Sequence, residues 1–183
     1  MRFSDVPIID IPGITLRPVE LADIPTWYEY LSLPKVVEHT SWNLKSAEDL
    51  RPLIESYNSD DLSSEIRFAI QAEFRAPLVG TIGFHTVSPV NRTAELAYDL
   101  HPSLWGLGIA SACCRAVAAW GMPQRKYVRI QATVLETNAP SIRVLEKCGL
   151  SLEGKLRSYR MVRGTPRDFW LYAKVAEFGS AAA

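Results

Sequence analysis

Nothing in this chain leans toward either charge. Twenty lysines and arginines stand against twenty acids, so the basic excess with which proteins grip nucleic acid is missing. No apolar run approaches the length of a membrane span, and the first residues lack the basic-then-apolar order of a signal sequence. Neither a nucleic acid nor a membrane is therefore an expected partner. Cysteine is scarce: Cys113, Cys114 and Cys148 form neither an even framework nor a CxxC pair. A reducing cytoplasm is the expected location. Histidine is equally scarce, and His39, His85 and His101 share no ligand spacing, so no metal site is expected. Internal repeats and low-complexity segments are absent as well. What is present is ordinary globular material: 183 residues, 48% hydrophobic and 22% charged, enough to bury a core without staples.

Periodicity sets the elements. Alternation over Ile14-Thr15-Leu16-Arg17 predicts a strand ended by Pro18. Apolar residues at Leu21, Ile24, Trp27, Tyr28 and Leu31 predict a helix over 20–31, with Asp23 and Pro25 in its first turn. Ser46 and Asp49 resemble a capping box and open a second helix over 46–57. Strands are predicted over 66–72 and 78–87, joined by a turn at 75–77, and a third over 93–100. A helix over 106–120 follows, with Ile109, Cys113, Val117 and Trp120 as its apolar stripe and Gly121 and Pro123 as its stop. Then come a strand over 127–135, a helix over 138–147 with Asn138 as N-cap and Gly149 just past its end, and extended segments over 150–163 and 168–175 joined by a turn at Gly164-Thr165-Pro166. The order predicts a mixed α/β sheet with one crossover through the helix over 106–120. Residues 177–183 read as a disordered tail or cloning remnant, leaving 1–176 as a single domain.

Two segments carry chemistry. Residues 95–110 read as a strand that leaves through Pro102 into a tight turn holding Gly106 and Gly108, and then directly into an Ala-rich helix. A helix start presents unpaired N–H groups and partial positive charge, and glycines let an anion reach the backbone. The same pair can be a plain strand-to-helix turn. A dinucleotide fingerprint is excluded, because the third position is Ser111 and no acid lies near Val128-Arg129-Ile130. No Lys-Ser or Lys-Thr follows the glycines, so this is not a P-loop. The second segment is the helix start at Asn138-Ala139-Pro140-Ser141, whose polar residues serve either as caps or as contacts to a ligand.

Taken together, Glu95-Leu96-Ala97-Tyr98 before His101-Pro102, then Trp105-Gly106-Leu107-Gly108-Ile109-Ala110, then Asn138-Ala139-Pro140-Ser141 running to Leu145-Glu146-Lys147-Cys148-Gly149-Leu150, resemble the GNAT superfamily of acyl-CoA-dependent N-acyltransferases, in its RimJ/RimL-like branch. Leu16-Arg17-Pro18, Glu153-Gly154, Gly164 and Asp168 fit the branch too. The resemblance implies a mostly antiparallel twisted sheet of about six or seven strands flanked by about four helices, with a V-shaped splay between the central strands. It implies acetyl-CoA as cosubstrate, its pyrophosphate held at Trp105, Gly106, Leu107, Gly108, Ile109 and Ala110. The pantetheine arm would lie along the strand at Tyr98 and Leu100 like an added strand, with a bulge near Tyr98 opening the gap. Asn138, Ser141 and Lys147 complete the cofactor contacts. The family's glycine loop usually begins with Arg or Gln where this chain has Ser103.

The implied reaction is transfer of acetyl to a primary amine in a ternary complex. Glu95 is the expected base, and its rival reading is an exposed strand charge. Many relatives protonate the thiolate with a tyrosine where this chain has Leu145, so Ser141 is the expected substitute, helped by the helix N-terminus, with Tyr98 and Tyr159 as weaker alternatives. Cys113 and Cys114 are expected in the core. Trp42 is a candidate for the acceptor wall. The acceptor is expected to be a protein or peptide N-terminus; a polyamine, amino acid or antibiotic is the alternative, and a CoA-binding module without catalysis is a further one. Monomer and homodimer both remain open.

Overall fold

A computed structural model describes residues 6–57, 63–73 and 76–176. The expected tail at 177–183 and Arg75 of the turn expected at 75–77 lie outside the described residues. The chain opens with strand β1 (Thr15–Pro18) and the helices α1 (Ile24–Leu31), α2 (Pro34–Val37) and α3 (Arg51–Tyr57). Then come β2 (Ile66–Gln71), β3 (Leu78–Ser88), β4 (Thr93–Leu100), α4 (Ile109–Gln124), β5 (Arg129–Leu135), α5 (Ala139–Lys147), β6 (Ser151–Val162) and β7 (Thr165–Val175). No helix among the described residues is long and apolar enough to cross a membrane.

Three local expectations change. Helix α4 runs past Gly121 and Pro123 to Gln124. Gly121 is there for packing: a Cβ on it would stand 2.6 Å from the Phe84 ring. Pro123 sits in the last turn, where one lost backbone bond is tolerable. The final turn is two residues, Arg163 and Gly164, both with positive φ (50° and 79°), so β7 begins at Thr165. That geometry matches the right-handed twist of a hairpin. Pro166 lies within β7, opposite Met161 and beyond the stretch that pairs with β5, so its missing N–H deprives no other strand. Helix α2, one turn begun by Pro34, has too short a period to be read from sequence and raises the number of α-helices among the described residues to five.

The seven strands lie in the order β1-β2-β3-β4-β5-β7-β6, antiparallel except for β4 beside β5. Both faces are covered. Phe68 and Ile70 of β2 pack with Cys113 and Val117 of α4, whereas Ala69 between them packs with Trp27, Leu50 and Ile54 on the α1–α3 side. This is the period-two alternation of a strand buried on both faces. Each fully buried large side chain in these two layers contributes about 1.5–3 kcal/mol.

The feature that positions everything else is a fork. β4 and β5 pair only at Thr93–Arg129, Ala94–Ile130 and Glu95–Gln131. Beyond Glu95 they separate. The expected splay is there, but the expected bulge near Tyr98 is not: β4 holds unbroken register with β3 from Glu95–His85 to Leu100–Gly80, and the irregularity lies on β3 between His85 and Ser88. The gap opens because β5 follows β7 along its whole length while β4 follows β3. Two well-paired half-sheets part, and no strand needs to kink.

Candidate active site

The exit from β4 is built by local hydrogen bonds. His101 Nδ1 accepts from the Ser103 amide at 3.2 Å, and Trp105 Nε1 donates back to the Leu100 carbonyl at 2.7 Å. Gly106 and Gly108 then take φ of 80° and 79°, a region that costs other residues strain. The helical ladder of α4 starts with the Ala112 amide donating to the Gly108 carbonyl at 3.0 Å. The amides of Ile109, Ala110 and Ser111 precede it, which is the electrostatics of an anion site. A Cβ on Gly106 or Gly108 would meet no atom within 4 Å, so these glycines leave space beside the turn.

That space is a cavity of about 310 Å³ between the turn, β4 and α5. Tyr98, Leu100, Trp105, Gly106, Gly108, Ile109, Ala110, Asn138, Ser141 and Lys147 all line it. Leu107 does not: its side chain is 63% exposed, so only its backbone is left to act. Arg143 adds a second cation from α5.

A second cavity, about 420 Å³, lies on the other side of the fork. The two share His39, Thr40, Tyr98, Asn138 and Ser141. At this junction Asn138 caps α5 by accepting from the Ser141 amide at 3.1 Å, and the Tyr98 and Ser141 hydroxyls lie 2.5 Å apart. Burial pushes the Tyr98 phenol well above its usual pKa, so it remains an O–H donor at neutral pH.

Glu95 lines the second cavity at the apex of the fork and is 2% exposed, so it is no solvated strand charge. Its Oε1 accepts from Thr133 Oγ1 at 2.5 Å and from Arg160 at 3.0 Å. His85 Nε2 stands 3.7 Å away. Burial lowers the His85 pKa against the pull of Glu95, which favours the neutral imidazole. Arg160 reaches the site because β6 bulges between Leu156 and Arg160, and bulges re-aim side chains. Trp42 lines this cavity, and so does Leu145. Tyr159 lines neither; it is 42% exposed, with its ring edge-on to Phe169. Cys113 and Cys114 are buried, and burial raises both thiols, Cys113 to about 12, which leaves them inert.

Sequence reasoning missed His39, Thr40, His85 and Arg160. The signals are faint. His85 is brought opposite Glu95 only by hairpin register, and Arg160 sits 65 residues from its partner.

Residues 14–151 match the family described as acetyltransferase (GNAT) domain. The chain is 32% identical over 173 residues to an uncharacterized N-acetyltransferase, YoaA, of Bacillus subtilis, covering 92% of this chain and 97% of that one. It is 30% identical over 100 residues to the ribosomal-protein-serine acetyltransferase of Escherichia coli, covering 55% and 56% of the two chains. A GNAT-family acetyltransferase structure from Bacillus anthracis superposes with a TM-score of 0.76 at 27% identity, over 91% of this chain and 97% of that one.

Proposed function

The chain belongs to the GNAT acetyltransferase family and is an acetyl-CoA-dependent N-acetyltransferase, and from that premise we propose that its acceptor is the terminal amine of a peptide or protein. The observation that carries this reading is the pair of cavities that meet at Tyr98, Asn138 and Ser141. One is suited to the nucleotide thioester and the other to the amine. The second cavity carries Glu65 and Glu95 but also Arg67 and Arg160. That balance suits a single amine on an otherwise uncharged chain. A polyamine would bring its further positive charges against Arg160. The partial identity to a ribosomal-protein-serine acetyltransferase agrees.

The nucleotide side fits acetyl-CoA by its donor set. The amides before Ala112 and the cations Lys147 and Arg143 suit a diphosphate, and the unpaired edge of β4 beyond Glu95 suits an added strand of amide groups. Acetyl-CoA supplies an activated acyl group. The protein supplies position and two proton sites. Glu95, oriented by Thr133 and Arg160, takes the amine proton, directly or through water, as the C–N bond forms. As the C–S bond breaks, Ser141 gives the sulfur a proton and is resupplied by Tyr98 across their 2.5 Å contact, within the positive end of α5. The proton that Glu95 took from the amine returns to Tyr98 through solvent, so both groups end as they began.

The test is thiol release from acetyl-CoA with short peptides bearing a free α-amine, the same peptides blocked at the N-terminus, lysine side-chain amines, free amino acids and spermidine. Free-terminus peptides should give the highest kcat/KM and blocked ones none. If spermidine or an amino acid is faster, the acceptor assignment is wrong. If CoA binds and no amine on this panel releases thiol, the acceptor belongs to none of these classes and the assignment is likewise wrong. A separate variant checks the nucleotide side. Gly106→Val puts a branched side chain into the open space beside the turn, so the CoA dissociation constant measured by calorimetry should rise about tenfold or more.

A further inference from the structure

Among the described residues three buried side-chain polar atoms have no hydrogen-bond partner: Trp120 Nε1, His39 Nδ1 and Thr40 Oγ1. Trp120 stands apart, on the core face of α4 against Phe68. The other two are consecutive residues, and both line the junction of the two cavities. An unpaired buried donor or acceptor is costly and calls for an explanation.

The segment is held firmly. Its carbonyls are both taken, His39 by Asn138 Nδ2 at 3.1 Å and Thr40 by the Arg163 guanidinium at 3.1 Å. The His39 ring lies 6.0 Å from the Trp105 ring, tilted at 58°, and Trp105 is a wall of the nucleotide cavity only. The backbone is thus fixed to both sides of the cleft while the side-chain polar atoms are left over. The carboxylates available to an amine, Glu65 and Glu95, lie in the other cavity. What the junction offers is two unpartnered hydrogen-bonding side chains, which match a carbonyl oxygen.

We propose that His39 and Thr40 hydrogen-bond the acyl-thioester end of bound acetyl-CoA, as positioning residues that distinguish the acylated cosubstrate from the free thiol product. This rests on the reading that the first cavity holds acetyl-CoA. It gives the enzyme a way to hold its donor and release CoA. No proton changes hands.

The experiment is calorimetric titration of acetyl-CoA and of CoA into wild-type protein, Thr40→Val and His39→Phe, with Thr40→Ser as the conservative control. The valine keeps the shape of threonine, and the phenylalanine keeps the ring against Trp105. Each should weaken acetyl-CoA about fivefold, the effect of one lost neutral hydrogen bond, and leave CoA within about twofold. Thr40→Ser should stay near wild type. The apo melting temperatures of the valine and phenylalanine variants should equal or exceed wild type, because an unpartnered polar atom has been removed. A group bonded to internal solvent for structural reasons would show the opposite. If the ratio of the two affinities is the same in all four proteins, the proposal is overturned. Wild-type protein that binds neither thioester nor thiol would instead sink the reading of the first cavity itself, and this proposal with it.

Discussion

Glu95→Gln is expected to lower kcat/KM for the amine acceptor about a hundredfold or more, the range in which a positioned general base operates. The substitution is a fair one. Glutamine is the same size, and its carbonyl oxygen can still accept from Thr133 and Arg160 in place of the carboxylate oxygen. The buried apex of the fork is therefore preserved while the group loses its capacity to take a proton. CoA affinity should not change, because Glu95 lines the second cavity and not the one beside the glycine turn. The pH profile separates this from misfolding. With the base gone, only amine that is already neutral can react. An α-amino group titrates near pH 8, so the residual rate of the variant should climb about tenfold per pH unit below that value and level off above it. Wild-type protein should depend on pH less steeply. Turnover that survives unchanged in the variant would remove Glu95 from the mechanism and leave His85, 3.7 Å away and favoured in its neutral form, as the nearest remaining base.

Much of this arrangement was legible in the chain itself, for a physical reason. Strand and helix periods are local, so β2 to β5, α1, α3 and α5 fall close to where alternation and capping put them. The glycine turn was legible because Gly106 and Gly108 do what only glycine does cheaply, and both have positive φ. Gly121 misled because a glycine has two uses. It was read as a helix stop, and the structure uses it to let Phe84 approach α4. The splay was expected with the wrong cause, since which strand β5 follows is a non-local pairing that its own residues do not encode. The partners of Glu95 were invisible for the same reason. Arg160 arrives from β6 only because a bulge there turns it inward, and no spacing in the chain announces that.

Asp99→Ala should cost about 3–5 kcal/mol of folding stability, the penalty for stranding a buried charge. In a chain of this length that is a fall of about 10 °C in melting temperature. Asp99 sits on β4 beside Tyr98 and is 7% exposed. Its Oδ2 accepts from Arg67 at 2.7 Å and from Thr81 at 2.8 Å, and its Oδ1 accepts from Trp27 Nε1 at 3.2 Å and from the Tyr30 hydroxyl. Burial, and after it the nearby Asp99 charge, raises the Tyr30 phenol well above its usual pKa, so Tyr30 stays a donor. Arg67 is 5% exposed and makes its other bonds to Thr81 and the Ala97 carbonyl, both neutral. Removing Asp99 therefore leaves a guanidinium in the core without a counter-charge, and it also frees two α1 donors from β4. The ion pair itself need not be stabilising: swapping both partners for apolar residues, Arg67→Met with Asp99→Leu, should recover the part of the loss due to the stranded guanidinium and not the part due to the freed Trp27, Tyr30 and Thr81 donors. A double-mutant cycle by chemical denaturation distinguishes the two contributions. Should Asp99→Ala cost less than about 1 kcal/mol, the clamp between α1 and β4 is not an electrostatic one. The position of α1 beside the fork would then have to come from the apolar packing of Trp27, Tyr30 and Leu31 alone.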